Sequence, residues 1–218
     1  TIFPSCIFIP FCYYIRKKCR VNQNMKSLYI NTTGNKLSLA FKNGDKFNVF
    51  ESDGQKSQTE EIFTQIKAIL NGVLVKDLDL VVCLGGPGSF TGIRLGLSVV
   101  KGFNIAVSVP VVVIDNFMAT VYSMDESILP DRFQILIPAG VNDVYSAIMG
   151  RDSVEVEPPK IIKKDLVSRE IETFSDVALN PQRILERVEA SIDLKNFVQP
   201  AIEPTYVKPH YAKVKCAK

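Results

Sequence analysis

Few side chains in this sequence could carry chemistry, and the densest group lies in Leu84-Gly-Gly-Pro-Gly-Ser-Phe-Thr-Gly-Ile-Arg-Leu-Gly96. Gly85, Gly86 and Gly88 reach backbone angles that a Cβ would forbid, Pro87 fixes one φ, and Ser89 or Thr91 is placed to cap a following helix. A strand, a glycine turn and a helix N-terminus in succession aim free N–H groups at one point, which suits an anion. Gly86, Pro87, Gly88, Ser89, Thr91 and Arg94 are therefore the candidate phosphate- or nucleotide-facing residues. The familiar motifs nevertheless fail. No Lys follows the glycines as a P-loop requires, and Gly86, Gly88 and Gly92 meet the dinucleotide pattern only with the wrong last spacing. The alternative is a tight strand-to-helix turn with no ligand. His210 is the one histidine, and Cys6, Cys12, Cys19, Cys83 and Cys216 show no pair at zinc-ligand spacing. A two-His metal site cannot be built from these residues, which counts against a metallopeptidase, and no nucleophile or general base stands at recognisable spacing. No catalytic residue and no metal ligand is assigned.

The elements that must position this stretch are readable on either side of it. Residues 79–84 form a nearly uncharged, β-branched run that suits a central strand covered on both faces. In the helix that follows, Gly92 and Gly96 are four apart and share a face with Val99, Val100 and Phe103. Each costs roughly 1 kcal/mol against Ala in a helix, so another backbone is expected to approach closely there, from within the chain or from a partner. Upstream, residues 26–30, 36–42 and 45–52 predict three antiparallel strands, with Asn43-Gly44 as a hairpin turn. Ser57-Gln-Thr-Glu60 has capping-box form and opens a helix with Ile62, Ile66, Ile69 and Val73 on its apolar side, widened by Phe63 and Leu70.

Downstream, residues 111–114 predict another buried strand and Asp115 a helix cap. Residues 133–137 and 144–149 predict a strand pair around Pro138-Ala-Gly-Val-Asn-Asp143, and residues 153–156 an edge strand stopped by Pro158-Pro159. Asn180-Pro181 starts a helix whose stripe is Ile184, Leu185, Val188 and Ile192. Residues 1–24 combine an apolar, proline-broken run with Arg16, Lys17, Lys18 and Arg20; they read as an extension outside the fold, with a membrane-surface anchor as the rival reading. Those four cations account for the net charge of +3, because the remaining 22 basic residues face 23 acidic ones. So neutral a domain does not grip a nucleic-acid backbone strongly by itself. Scattered cysteines favour a reducing, cytoplasmic setting.

The eleven residues Gly86-Pro-Gly-Ser-Phe-Thr-Gly-Ile-Arg-Leu-Gly96 resemble the signature of the TsaB (YeaZ) family. The order of elements from Met25 to about Lys213, closing on Gln199-Pro-Ala-Ile-Glu-Pro-Thr-Tyr206, resembles it too. The resemblance implies an α/β, two-lobed actin- and Hsp70-like (ASKHA, ribonuclease H-like) fold with mixed sheets flanked by helices. It places the first lobe at 25–108, a second, shortened lobe at 109–206 and a basic tail at 207–218. It further implies a non-catalytic scaffold that pairs with a TsaD-like subunit, with a TsaE-like ATPase nearby, to make N6-threonylcarbamoyladenosine on tRNA. The tRNA would be reached through the complex, and ATP and metal would sit on the partner. The interface carried over is Ile62, Phe63, Ile66, Gly92, Gly96, Val99 and Phe103. Where family members carry Asp in the first turn this sequence has Asn31, and an amide cannot act as a base or hold a cation as a carboxylate does. Weak nucleotide binding at the glycine turn, an independent ASKHA-fold ATPase or small-molecule kinase, and a homodimeric binding module stay as alternatives.

Overall fold

The computed structural model describes residues 24–151, 155–168 and 170–207. Its organising element is the apolar strand predicted at residues 79–84, here β4 (Leu80–Leu84), every residue of which is buried. Around it a mixed five-stranded sheet is ordered β3-β2-β1-β4-β5. The hairpin strands β1 (Lys26–Asn31), β2 (Ser38–Asn43) and β3 (Lys46–Glu51) run antiparallel, while β4 is parallel to β1, and β5 (Val111–Ile114) is parallel to β4. Because side chains alternate along a strand, the sheet has two apolar faces. Leu28, Ile30, Val81 and Cys83 pack beneath α1 (Gln58–Leu70) and α2 (Phe90–Val107). Tyr29, Val82, Leu84 and Val112 face α3 (Asn116–Ser123), α4 (Pro181–Ser191) and a second sheet.

Local chemistry starts each helix. The Glu60 carboxylate accepts from Ser57 N at 3.1 Å before α1, Ser89 Oγ accepts from Gly92 N at 3.2 Å in α2, and Asp115 caps α3 by accepting from Met118 N at 2.7 Å. Asn180 accepts from Arg183 N at 3.1 Å, with Pro181 opening α4.

The second sheet is ordered β8-β7-β6-β9, from β6 (Arg132–Pro138), β7 (Asp143–Gly150), β8 (Glu155–Lys163) and β9 (Thr173–Ser175). Its pairing, antiparallel from β6 to β7 and β7 to β8 and parallel from β6 to β9, repeats that of β3-β2-β1-β4. Two expectations are corrected. Val111–Ile114 was placed in a second lobe beginning at residue 109, but it pairs with β4 and completes the first sheet. The strand expected at residues 153–156 begins at Glu155 in the described residues and continues through Pro158 and Pro159 to Lys163. It lies at the sheet edge with register shifts between Ser146 and Met149 of its partner, where missing N–H donors do not break a ladder. Residues 1–23 and 208–218, which hold most of the expected extension and basic tail, lie outside the described residues.

Candidate functional site

Three turns meet at the carboxyl ends of parallel strands β1, β4 and β5, the edge of an α/β sheet where ligands ordinarily bind. These are the Asn31-Thr32-Thr33 turn, the Gly85-Gly86-Pro87-Gly88-Ser89 loop with a cis Gly86–Pro87 peptide, and the Asp115-Asn116 step into α3. Asn31 Oδ1 accepts from Thr33 N at 2.9 Å and from Thr33 Oγ1 at 2.8 Å, so this side chain shapes its own turn. Ser89 N donates to Thr33 O at 2.7 Å and Asn116 N to Gly86 O at 2.7 Å. Buried Asn116 also donates Nδ2 to both Thr33 Oγ1 and Pro87 O, each at 2.8 Å. One amide thus ties all three turns together.

A fourth segment crosses this junction from the far end of the described chain. Thr205 N donates to Gly85 O at 2.8 Å, and Gln199 completes the open edge of β5 as a short strand would. Gln199 Nε2 donates to Val111 O at 2.8 Å, and Gln199 Oε1 accepts from Val111 N at 2.9 Å and from Asn104 Nδ2 at 3.2 Å. Tyr206 then reaches the first turn of α2, where its hydroxyl accepts from Arg94 Nε at 3.4 Å.

This packing explains the glycines and corrects the expected docking face. A methyl at Gly96 would stand 2.5 Å from Thr32 Oγ1 and 3.2 Å from Cys83 Sγ, and one at Gly92 would overlap the Thr32 carbonyl oxygen. Thr32 Oγ1 in turn donates to Gly92 O at 2.7 Å. The close backbone neighbour is therefore the β1–β2 turn of the same chain. Gly92, Gly96, Ile62, Ile66 and Val99 of the expected interface are all buried in the monomer, where an apolar face of a surface helix belongs. Phe63 is 61% exposed, and Phe103 is half-buried against the core. Burial also pushes the Cys83 thiol, sealed under Gly96, up to about 12.

The expected anion-facing loop is in part occupied by its own chain. Gly85 N donates to Ile114 O at 2.8 Å, Ser89 N to Thr33 O, and Gly92 N and Ile93 N turn back to Ser89. Gly86 and Pro87 are buried, Gly88 is half-buried against Thr33, and Ser89, Thr91 and Arg94 are exposed. The Asp115 carboxyl is held above its ordinary range by burial, against the opposing bonds from the first turn of α3. Among the described residues no three His, Cys, Asp or Glu side chains gather to hold a metal ion. Sequence reasoning missed Thr32, Thr33, Asn116 and Gln199. Only Asn116, directly after a predicted cap at a strand end, carried a local signal.

Two mixed sheets of repeated topology, flanked by helices, with a glycine loop at the carboxyl edge of the first, define an ASKHA-type protein. Likeness to solved structures agrees with this fold: two Pseudomonas aeruginosa structures superpose, one of YeaZ and one of an uncharacterized protein with similarity to peptidase YEAZ. They give TM-scores of 0.65 and 0.67 at 14% identity, each covering 84% of this chain and 99% and 100% of theirs. A family model described as TsaD, tRNA N6-adenosine threonylcarbamoyltransferase, matches residues 53–184, more than half of the sequence. The chain belongs to that family, on its TsaB (YeaZ) side. Two curated relatives carry the name tRNA threonylcarbamoyladenosine biosynthesis protein TsaB. The one from Haemophilus influenzae is 27% identical over 68% of this chain and 64% of its own length; the one from Escherichia coli is 24% identical over 69% and 68%. The chain thus spans about two thirds of the length of these relatives.

Proposed function

We propose that this chain acts in tRNA threonylcarbamoyladenosine biosynthesis as a cytoplasmic subunit without catalytic groups of its own. In this reading it pairs with a TsaD-like subunit that holds ATP and metal, works beside a TsaE-like ATPase, and reaches tRNA within that assembly. The observation that carries it is the closure of the glycine loop by Thr33, Asn116 and Thr205. That closure puts neutral amides, hydroxyls and carbonyls where an ATP-hydrolysing member of the fold would need an acid and free N–H donors. The residues present do not fit a magnesium nucleotide: Asn31 replaces the carboxylate and is engaged by Thr33, and Asp115 is engaged as a helix cap.

With the glycine face internal, the docking side moves to the outward surfaces of α1 and α2, which cover the same face of the first sheet. Phe63 on α1 and Ile105 on α2, 61% and 83% exposed, are large apolar side chains with little monomer contact to lose. Phe63→Glu is expected to lower co-purification with a co-expressed TsaD-like subunit at least tenfold while leaving the melting temperature of the isolated chain within about 2 °C. Undiminished co-purification would move the docking face elsewhere. Depleting the protein should lower threonylcarbamoyladenosine in total tRNA nucleosides. Unchanged nucleoside levels, or ATP turnover by the pure chain, would favour an independent enzyme.

A further inference from the structure

The outer edge of β3 and the neighbouring flank of α1 carry bonding capacity that the proposed role leaves idle. β3 ends the first sheet, so one side of its backbone has no strand beside it among the described residues. Ser52 N donates to Leu37 O at 2.8 Å, which fixes the alternation along the strand. Lys46, Asn48 and Phe50 turn their backbone groups toward β2, and Phe47, Val49 and Glu51 turn theirs outward. Val49, in the middle of the outward set, is 55% exposed. Beside this edge Asn48, Phe50, Gln65 and Ala68 help to line an open groove of about 330 Å³. One turn before Gln65, on the same flank of α1, lies Glu61. It is 6% exposed and has no hydrogen bond or ion pair among the described residues, yet its carboxylate oxygens are not sealed from the surface. A carboxylate so placed calls for a counter-charge. Lys46 is exposed and forms no ion pair among the described residues, but it stands at the far end of β3, because α1 runs back along that strand with Asn71 beside Asn48.

We infer that this edge pairs with the β3 edge of a second copy across a two-fold axis, joining the two first sheets into one. A two-fold perpendicular to the sheet keeps every side chain on its own face, so each outward residue must meet another outward residue. Centring the axis on Val49 does this: Phe47 meets Glu51, Val49 meets Val49, and each pair exchanges two hydrogen bonds. The same register sets Lys46 of one copy opposite Ser52 of the other, on the face that carries α1 with Phe50. Ser52 lies about 7 Å beyond Phe50 along the strand, and Glu61 about 6 Å before Gln65 along the helix, in the same direction. Lys46 thereby comes beside Glu61 of the other copy, and the symmetry makes the contact twice. Ala68, exposed on the groove, leaves the two α1 helices room to approach. An extended segment of an unrelated protein would use the backbone edge, whereas a second copy also brings, at the register the backbone sets, the cation that Glu61 lacks. This pairing is independent of the proposed role and uses neither Phe63 nor Ile105, so both faces can be occupied at once.

The test is sedimentation velocity of the full chain from about 1 to 100 μM, which should show a monomer in equilibrium with a dimer. Lys46→Glu, at an exposed position, should weaken the dimer about thirtyfold. Val49→Pro removes an N–H that points away from β2, and should abolish the dimer while the chain still melts as a folded protein. Exchanging the charges, Lys46→Glu with Glu61→Lys, should restore association to within about threefold of the original. A chain that stays monomeric over the whole range, or a dimer indifferent to Lys46→Glu and Val49→Pro, would overturn the inference. Failure of the exchanged pair to restore the dimer would do so too where its melting curve shows it folded; where it does not fold, Lys46→Glu and Val49→Pro decide. Co-purification of Val49→Pro with a TsaD-like subunit should match that of the original chain. Its loss would overturn the assignment of this edge to a second copy, whereas a dimer sensitive to both variants stands whatever becomes of the proposed pairing.

Discussion

A single methyl group separates the two glycine environments on α2. At Gly92 it would overlap the Thr32 carbonyl oxygen, whereas at Gly102, on the exposed side of the same helix, no atom lies within 4 Å. Gly92→Ala should therefore cost about 3 kcal/mol or prevent folding, because the obstacle is backbone held by the Thr32 Oγ1 bond to Gly92 O and cannot swing aside. Gly102→Ala should stabilise by about 0.5 to 1 kcal/mol through helix propensity alone. Urea denaturation of the two variants decides the matter; similar midpoints would show that the β1–β2 turn is not held against α2. The same reasoning reverses an expectation natural to the sequence: a large residue at Gly96 unfolds the monomer before it can affect any partner. Asn31 illustrates the complementary case, a residue that acts only within a few positions of itself. Its oxygen is engaged within its own turn by Thr33, as a turn-forming amide should be.

At the level of elements, the telling feature is the strand-like role of Gln199. An edge strand leaves backbone groups unpaired, and β5 has both Val111 N and Val111 O satisfied by one side-chain amide eighty-eight positions away. Gln199→Ala removes these bonds and the one from Asn104, and is expected to destabilise the chain by about 1 to 3 kcal/mol, with faster amide exchange at Val111. Unaltered exchange at Val111 would show that the edge is covered by other means. Such long-range closures mark the limit of what a sequence displays. The β4–loop–α2 unit, the first hairpin and the caps Ser89, Asp115 and Asn180 were legible because glycine, proline and short polar side chains act within a few residues. The path of β8 was misread because Pro158 and Pro159 punctuate locally, while an edge position excuses them only once the sheet order is known. The sheet of β5 was misassigned for a related reason, since an apolar run does not name the strand it pairs with. The glycine face was recognised as a close approach, but periodicity is silent on what approaches.

Across the whole molecule, the first sheet and α4 are joined by a buried ion pair between Lys42 and Glu189, whose side chains are 14% and 0% exposed. Removing one partner strands the other charge in the core. Lys42→Met should cost about 3 to 5 kcal/mol, whereas Lys42→Met with Glu189→Met should recover most of that loss, as read from urea midpoints. Equal destabilisation by the single and double variants would mean that packing, not charge, is the quantity lost. The repeated sheet topology adds that α4 is shared property: it packs on β1 and β2 of one sheet and joins the core that includes Phe133 and Met149 of the other. A further consequence follows from the late residues that finish the glycine loop. During vectorial synthesis on the ribosome, β4 and β5 emerge long before Gln199 and Thr205 do. A nascent chain therefore carries an exposed, sticky sheet margin through the translation of roughly ninety codons. That interval is the natural window for a holding chaperone, and slowing elongation across it should raise the insoluble fraction.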